Sequence, residues 1–355
     1  MFRGYKYILT PNKTQQILLN NTFGCVRYFW NKQVEAFNKR EEFKSSTQYR
    51  NENAWMGEVS AGALQQKELD FKQYKNQRFS KTRKKSIGDP RFKRRTDKQS
   101  FRLPNRKFNV GDRYVRLEKI GKVKYIQDRP IPECSKLMSV TISRETDGKY
   151  YASVLVEMNI KAFDKTGESI GIDVGIKELA TLSNGIIINN PKWFRNSQVK
   201  LKQAQRRLSK KKVGSSRFKK CKLKVAKLYK KIKNQREHYL HNFTTKIVKD
   251  YDVIAIEDLN ISDMIKNKKL SKSISDASFG KIFSMLDYKC KWYGKELIKI
   301  SRFAPSSKTC SGCGNIKDKL KLSEREYACE NCGLVIDRDL NAAKNIKAMG
   351  VSIAI

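Results

Sequence analysis

Four cysteines spaced C-x2-C-x15-C-x2-C (Cys310, Cys313, Cys329 and Cys332) constrain this chain more than any other feature. Two such knuckles supply four thiolates, which suit tetrahedral Zn²⁺ in a closed structural site. Glycines stand directly after the second cysteine of each knuckle, at Gly314 and Gly333, as ribbon turns require. The other cysteines, Cys25, Cys134, Cys221 and Cys290, are scattered singly and read as ordinary thiols. Past the last knuckle the chain runs "VIDRDLNAAKNI", so Asp337 and Asp339 stand where an apolar helix opens at about residue 339. Thiolates choose a soft or borderline metal, whereas carboxylates choose a hard one. Two metal chemistries lie side by side.

Two more acids lie in apolar, strand-like segments: Asp173 in "GIDVG" and Glu257 in "AIEDLN". A carboxylate in such a strand is expensive to bury unless a cation or hydrogen bonds compensate it. A β–α alternation would carry these strands into one sheet and bring the acids together. An oxygen-only ligand set favours Mg²⁺, which binds through a few carboxylates plus substrate phosphates. Two such ions about 3.5–4 Å apart activate a water and stabilise a departing oxygen, the needs of phosphodiester cleavage. Gly171 and Gly175 flank Asp173, which is read as room for a close approach of backbone to substrate.

Charge points to the partner. Lys and Arg number 76 against 35 Asp and Glu, a net charge of +41, which calls for a polyanion, nucleic acid first. No apolar run approaches the ~20 residues of a membrane helix. The opening "MFRGYKYILTPNK" is too polar for a signal peptide, so a cytoplasmic location is expected, on the nucleoid when DNA is bound. Residues 200–236 hold 17 Lys or Arg and no acid, and read as two basic helices hinged near "KKVGSS". Arg206, Arg207, Lys210, Lys211, Lys212, Arg217, Lys219 and Lys220 are the expected phosphate contacts there. His238 and His241 read as packing or RNA contacts and not as ligands. Trp30, Trp193 and Trp292 read as core, with Trp55 set apart.

Along the first half, "FRGYKYIL" alternates as a strand. Asn12 and Gln15 form a capping box opening a helix over 13–40. Residues 41–108 are polar, helix-permissive and increasingly basic. From about residue 111 the period changes to two, with a hairpin turn at Asp147-Gly148. A boundary falls at 161–169.

The run of motifs "GIDVGIKELA", "NQREHYLHNFTTKIV", "IAIEDLN", "SKTCSGCG" and "YACENCGLVIDRDLNAAKNI" resembles the TnpB proteins, transposon-encoded RNA-guided DNA endonucleases related to the type V CRISPR effectors. The resemblance spans the C-terminal half in order and spacing, and reaches the start through "GYKYILTPNKTQ" and "VRYFWN". It implies an α/β fold plus a small β-domain. An RNase H-like (RuvC-like) nuclease domain over 163–355, with a zinc ribbon inserted at 304–336, would follow a β-barrel-like wedge domain of 1–10 and 109–162. A helical recognition insert, 11–108, would interrupt that wedge.

The resemblance further implies Asp173, Glu257 and Asp339 as the Mg²⁺-binding catalytic acids, with Asp337 the alternative for the third. It implies a guide RNA and a double-stranded DNA target flanked by a short motif. A guided repressor that does not cut and a DNA strand transferase are the rival readings. A plain zinc-ribbon DNA-binding factor leaves the three acids unexplained.

Overall fold

The computed structural model describes residues 1–80, 87–321 and 323–354. They form two compact units, Met1–Asn159 and Ile160–Ile355.

The first unit opens with β1 (Phe2–Leu9) and α1 (Lys13–Lys39). The capping box forms: Asn12 Oδ1 accepts the Gln15 N–H at 2.8 Å, and Gln15 Oε1 accepts the Asn12 N–H at 3.1 Å. Leu19, Phe23, Val26 and Phe29 follow at helical spacing and are all buried. Then come α2 (Ser46–Glu52), α3 (Ala61–Arg78), β2 (Gln99–Pro104), β3 (Phe108–Gly111), β4 (Tyr114–Leu117), β5 (Gly121–Ile126), β6 (Lys136–Arg144) and β7 (Tyr150–Glu157). The strands make one antiparallel sheet, ordered β2-β6-β7-β1-β5-β4-β3. Tyr5, Tyr7 and Leu9 alternate into a core shared with Val154, Val156, Phe101 and the α1 stripe. The β6–β7 turn is the expected one: Gly148 has φ +79°, and Asp147 accepts the Lys149 N–H and the Tyr151 hydroxyl.

Strand β2 lies inside the stretch read as a helical insert. Its local signal is only Phe101 and Leu103 among polar and basic neighbours, and its pairing partner is β6, far along the chain. Of the basic stretch before it, residues 81–86 lie outside the described residues. Residues 87–98 run without helix or strand and are tied to α1, Trp30 donating to Arg91 O and Asn31 exchanging two hydrogen bonds with Lys93. Trp30, Trp193 and Trp292, expected in the core, are half-buried instead. Each packs against other rings, where an indole can keep one edge at the surface.

The second unit contains β8 (Ser169–Asp173), β9 (Glu178–Leu182), β10 (Ile187–Asn189), α4 (Trp193–Ser209), α5 (Ser216–Asp250), β11 (Val253–Glu257), α6 (Ile261–Lys266), α7 (Ser271–Ala277), α8 (Phe279–Tyr293), β12 (Glu296–Ile300), β13 (Glu326–Ala328), β14 (Val335–Asp337) and α9 (Arg338–Ala354). A mixed sheet runs β10-β9-β8-β11-β12, with β8, β11 and β12 parallel and β9 and β10 antiparallel to their neighbours. Ile170, Ile172, Ile254 and Ile256 pack with Leu240, Phe243 and Ile247 of α5 and Ile282 and Leu286 of α8. Helix α9 lies directly on β8 and β11. A Cβ at Gly171 would stand 2.2 Å from Ala343 O, and one at Gly350 would stand 2.4 Å from the Ala255 Cβ. Gly171 thus admits a helix, not a substrate as the sequence reading had it.

Candidate active site

Strands β8 and β11 are parallel neighbours, Ile172 opposite Ile256, and each ends one residue later on its acid, Asp173 or Glu257. Side-by-side parallel strands bring both carboxylates to one sheet edge. Asp339 arrives from elsewhere, in the first turn of α9. All three line one cavity of about 1100 Å³. Its walls carry Lys192 and Arg195 at the start of α4, Lys269 and Lys272 around the start of α7, Lys308 and Arg325 from the four-cysteine segment, and Arg338 at the start of α9. Cations around a floor of acids can draw in a phosphodiester and present it to whatever the acids hold.

The charges are strained. Burial, then the charges of Glu257 and Asp339, push the Asp173 carboxyl up to about 8, with Arg338 opposing them. Arg338 donates Nε–H and Nη2–H to Asp339 Oδ1 at 3.0 and 2.7 Å, and Arg325 Nη1 lies 3.8 Å from Asp339 Oδ2. The Ser306 hydroxyl donates to Glu257 Oε1. Three carboxylates gathered in one place, with the Asp173 carboxyl raised first by burial and then by the other two, form an oxygen donor set suited to a divalent cation.

The four cysteine sulfurs all lie within 4.8 Å of one another, with Cys310 and Cys332 at 3.6 Å and Cys313 and Cys329 at 3.6 Å. A tetrahedral ion about 2.3 Å from each sulfur sets them about 3.8 Å apart, so the cluster fits. The Cys313 thiol is pulled down to about 6, first by the Asn315 backbone N–H and then by the Asn331 side chain, whereas, against the pull of the Leu334 backbone N–H, Cys313 and Cys310 push the Cys332 thiol up to about 12. The thiolate is the form that binds metal.

The eight cations proposed as phosphate contacts fall at the facing ends of α4 and α5 and in the 210–215 turn, exposed apart from half-buried Lys211. None of the eight lines the cavity. The cationic wall was missed by the sequence reading, because Lys269 and Lys272 have no local pattern and reach the site only through packing. One buried device helps shape that wall. Asp276 accepts the N–H groups of Phe194 and Arg195 at the start of α4 and a 2.7 Å hydrogen bond from Arg236 of α5. His238 contacts Asn242 at 3.2 Å and belongs to no metal-ligand cluster among the described residues.

The chain is similar to known proteins. Residues 153–268 match a family model described as "Probable transposase", and residues 279–346 one described as "Cas12f1-like, TNB domain". A Streptomyces pristinaespiralis protein described as "Putative RNA-guided DNA endonuclease" is 38% identical, over 99% of this chain and 90% of its own. The chain belongs to the TnpB family. InsQ of Escherichia coli (strain K12), with the same description, is 28% identical to this TnpB chain over 99% of it and 93% of InsQ. The cryo-EM structure of the Cas12f1-sgRNA-target DNA complex shares the fold, with a TM-score of 0.53 at 16% identity, covering 94% of this TnpB chain and 83% of that one. Residues 1–41 match a model described as "Helix-turn-helix domain", yet here they form β1 and one long helix, α1. Among the described residues of this TnpB chain, no helix is long and apolar enough to cross a membrane.

Proposed function

We propose that this chain is an RNA-guided DNA endonuclease that hydrolyses phosphodiesters beside a short target-adjacent motif. It uses divalent metal, Mg²⁺ by ligand type, held by Asp173, Glu257 and Asp339. The observation that carries the reading is the meeting of three carboxylates from three separate elements in one cavity with cationic walls. Two of them end adjacent parallel strands of a mixed sheet, which supports a RuvC-like nuclease domain. Bound metal supplies activation of a water nucleophile and stabilisation of the departing oxygen. The chain's own part is to hold the acids in place and to keep an excess of positive charge around the path of the phosphates.

The four thiols hold one structural Zn²⁺, since protein fills every position of the tetrahedron. The antiparallel sheet of the first unit serves as the wedge, and α1–α3 as the recognition helices inserted in it. Guide RNA and a double-stranded DNA target are the partners, with base pairing supplying sequence choice. The exposed cations of the α4–α5 hairpin bind nucleic-acid phosphates.

The test is to express the chain with its native flanking DNA, sequence the RNA that purifies with it, and assay cleavage in Mg²⁺ against targets with a randomised flank. One discrete RNA and guide-dependent cuts beside a fixed motif are expected. Heterogeneous RNA that washes off at high salt, with no guide-dependent product, would overturn the proposal.

A further inference from the structure

The segment between β12 and the first knuckle cysteine passes beneath Glu257 before it enters the four-thiol cluster. Within it Ser306 is 4% exposed, and its hydroxyl donates to Glu257 Oε1. A buried serine able to donate one proton to a carboxylate fixes which oxygen stays free. What fixes the serine is α9. Asn345, 6% exposed, donates to Ser306 O at 2.7 Å and to Thr309 O at 2.6 Å. One turn earlier Asn341, fully buried, donates to Thr309 O at 2.7 Å and accepts the Ser311 N–H at 2.9 Å. Ser311 follows Cys310, whose sulfur is part of the cluster. The helix that presents Asp339 therefore also grips, through two buried amides, the strap that holds Glu257 and roots the knuckle.

We propose that Ser306 is a positioning residue for Glu257, and that Asn341 and Asn345 lock it, the knuckle and Asp339 into one unit. The proposal rests on the reading of Glu257 as a metal ligand. Partners of this kind orient a ligand without touching the metal, and their loss costs about 10–100-fold in metal affinity. A serine, with both its backbone oxygen and its hydroxyl engaged, serves orientation.

The experiment uses the full chain, with Mn²⁺ as the probe and free Mn²⁺ read by electron paramagnetic resonance, so no cleavage is needed. Ser306→Ala should raise the Mn²⁺ dissociation constant about 10-fold, while zinc content and melting temperature stay as in the parent. Ser306→Thr, which keeps the hydroxyl, should restore it. Asn345→Ala should weaken Mn²⁺ binding in the parent but add little in the Ser306→Ala background, as two parts of one device do. Asn345→Gln, which keeps the amide, is measured beside it.

An unchanged dissociation constant in Ser306→Ala overturns the positioning role. Full additivity of the two changes overturns the link to α9. A chain that shows the Ser306 effect yet never cuts guided DNA sinks the endonuclease reading alone. One that cuts DNA while Ser306→Ala binds Mn²⁺ normally sinks this inference alone.

Discussion

Asp337 Oδ1 accepts the backbone N–H groups of Asp339 and Leu340, both at 2.9 Å, so two acids two residues apart hold different posts. Asp337 caps the start of α9 from the end of β14, whereas Asp339 lines the cavity. Spacing alone left either as the third acid, and this geometry favours Asp339. Asp339→Ala should abolish guided cleavage while RNA binding persists. Asp337→Ala should leave cleavage near the parent level and cost about 1 kcal/mol of stability, the loss of a helix cap. Cleavage rates and thermal unfolding of the two variants check this. The opposite ranking would move the metal ligand to Asp337.

Asp173 gives a pH dependence with a definite sign. Its carboxyl sits near 8 in the fold against about 3.8 in the unfolded chain, burial being the first cause. Between those values the metal-free fold holds a proton that the unfolded chain has lost. This contribution to stability is complete below about pH 4 and is lost as pH rises through about 8. Divalent metal must displace that proton, so binding at pH 7 should release it and should weaken as pH falls. Mn²⁺ calorimetry in two buffers of different ionisation enthalpy reads the release directly. Equal heats at pH 7 would refute it. Asp173→Asn, by removing a buried charge and its repulsion by Glu257 and Asp339, should raise the melting temperature of the metal-free chain at pH 9 while abolishing cleavage.

Among the described residues, the buried apolar set of the four-cysteine segment is Cys310, Tyr327 and Cys329, with Leu320, Leu334 and Ile336 partly covered around them. So small a core cannot offset the entropy of ordering the segment, and metal binding must supply the difference. Cys329→Ser should lower bound zinc below one equivalent and abolish cleavage, with RNA still bound through the basic hairpin. Zinc by elemental analysis and a cleavage assay decide it. A zinc-free, fully active variant would show that the ribbon folds on its own contacts.

Features encoded within a few neighbouring residues were legible before the fold was known. The Asn12–Gln15 box, the Asp147-Gly148 turn, the cysteine spacing and the break between α4 and α5 each depend on chemistry a few positions apart. The convergence of Asp173 and Glu257 followed from an apolar strand ending in an acid, twice. What stayed hidden is long-range. β2 is a strand because β6 lies beside it, and Lys269 enters the cavity wall only through the packing of the helical segment. Ser306 carries no periodic signal at all, since its role depends on Glu257, 49 positions away along the chain. Gly171 was legible as a close approach, but local sequence holds nothing to say whether a helix or a substrate approaches.

The α4–α5 hairpin allows its role to be separated from that of the cavity. Arg206, Arg207 and Lys210 are exposed, lie in a run of 17 cations without an acid, and do not line the cavity. Like charges at that density repel, and bound phosphates relieve the repulsion while releasing counterions. Removing one cation that neutralises a phosphate should therefore lower the slope of log affinity against log salt by about 0.7–0.9. Replacing all three by alanine should cut the slope for RNA binding by about 2–3, with affinity falling most at low salt. Mn²⁺ affinity should be unchanged, because the acids and their partners are untouched. Filter binding from low to high salt gives the slope, and Mn²⁺ titration gives the control. An unchanged slope would make this surface a solvated face and leave RNA binding to other cations. A lower slope with weakened Mn²⁺ binding would mean that the hairpin helps order the cavity as well as bind phosphates.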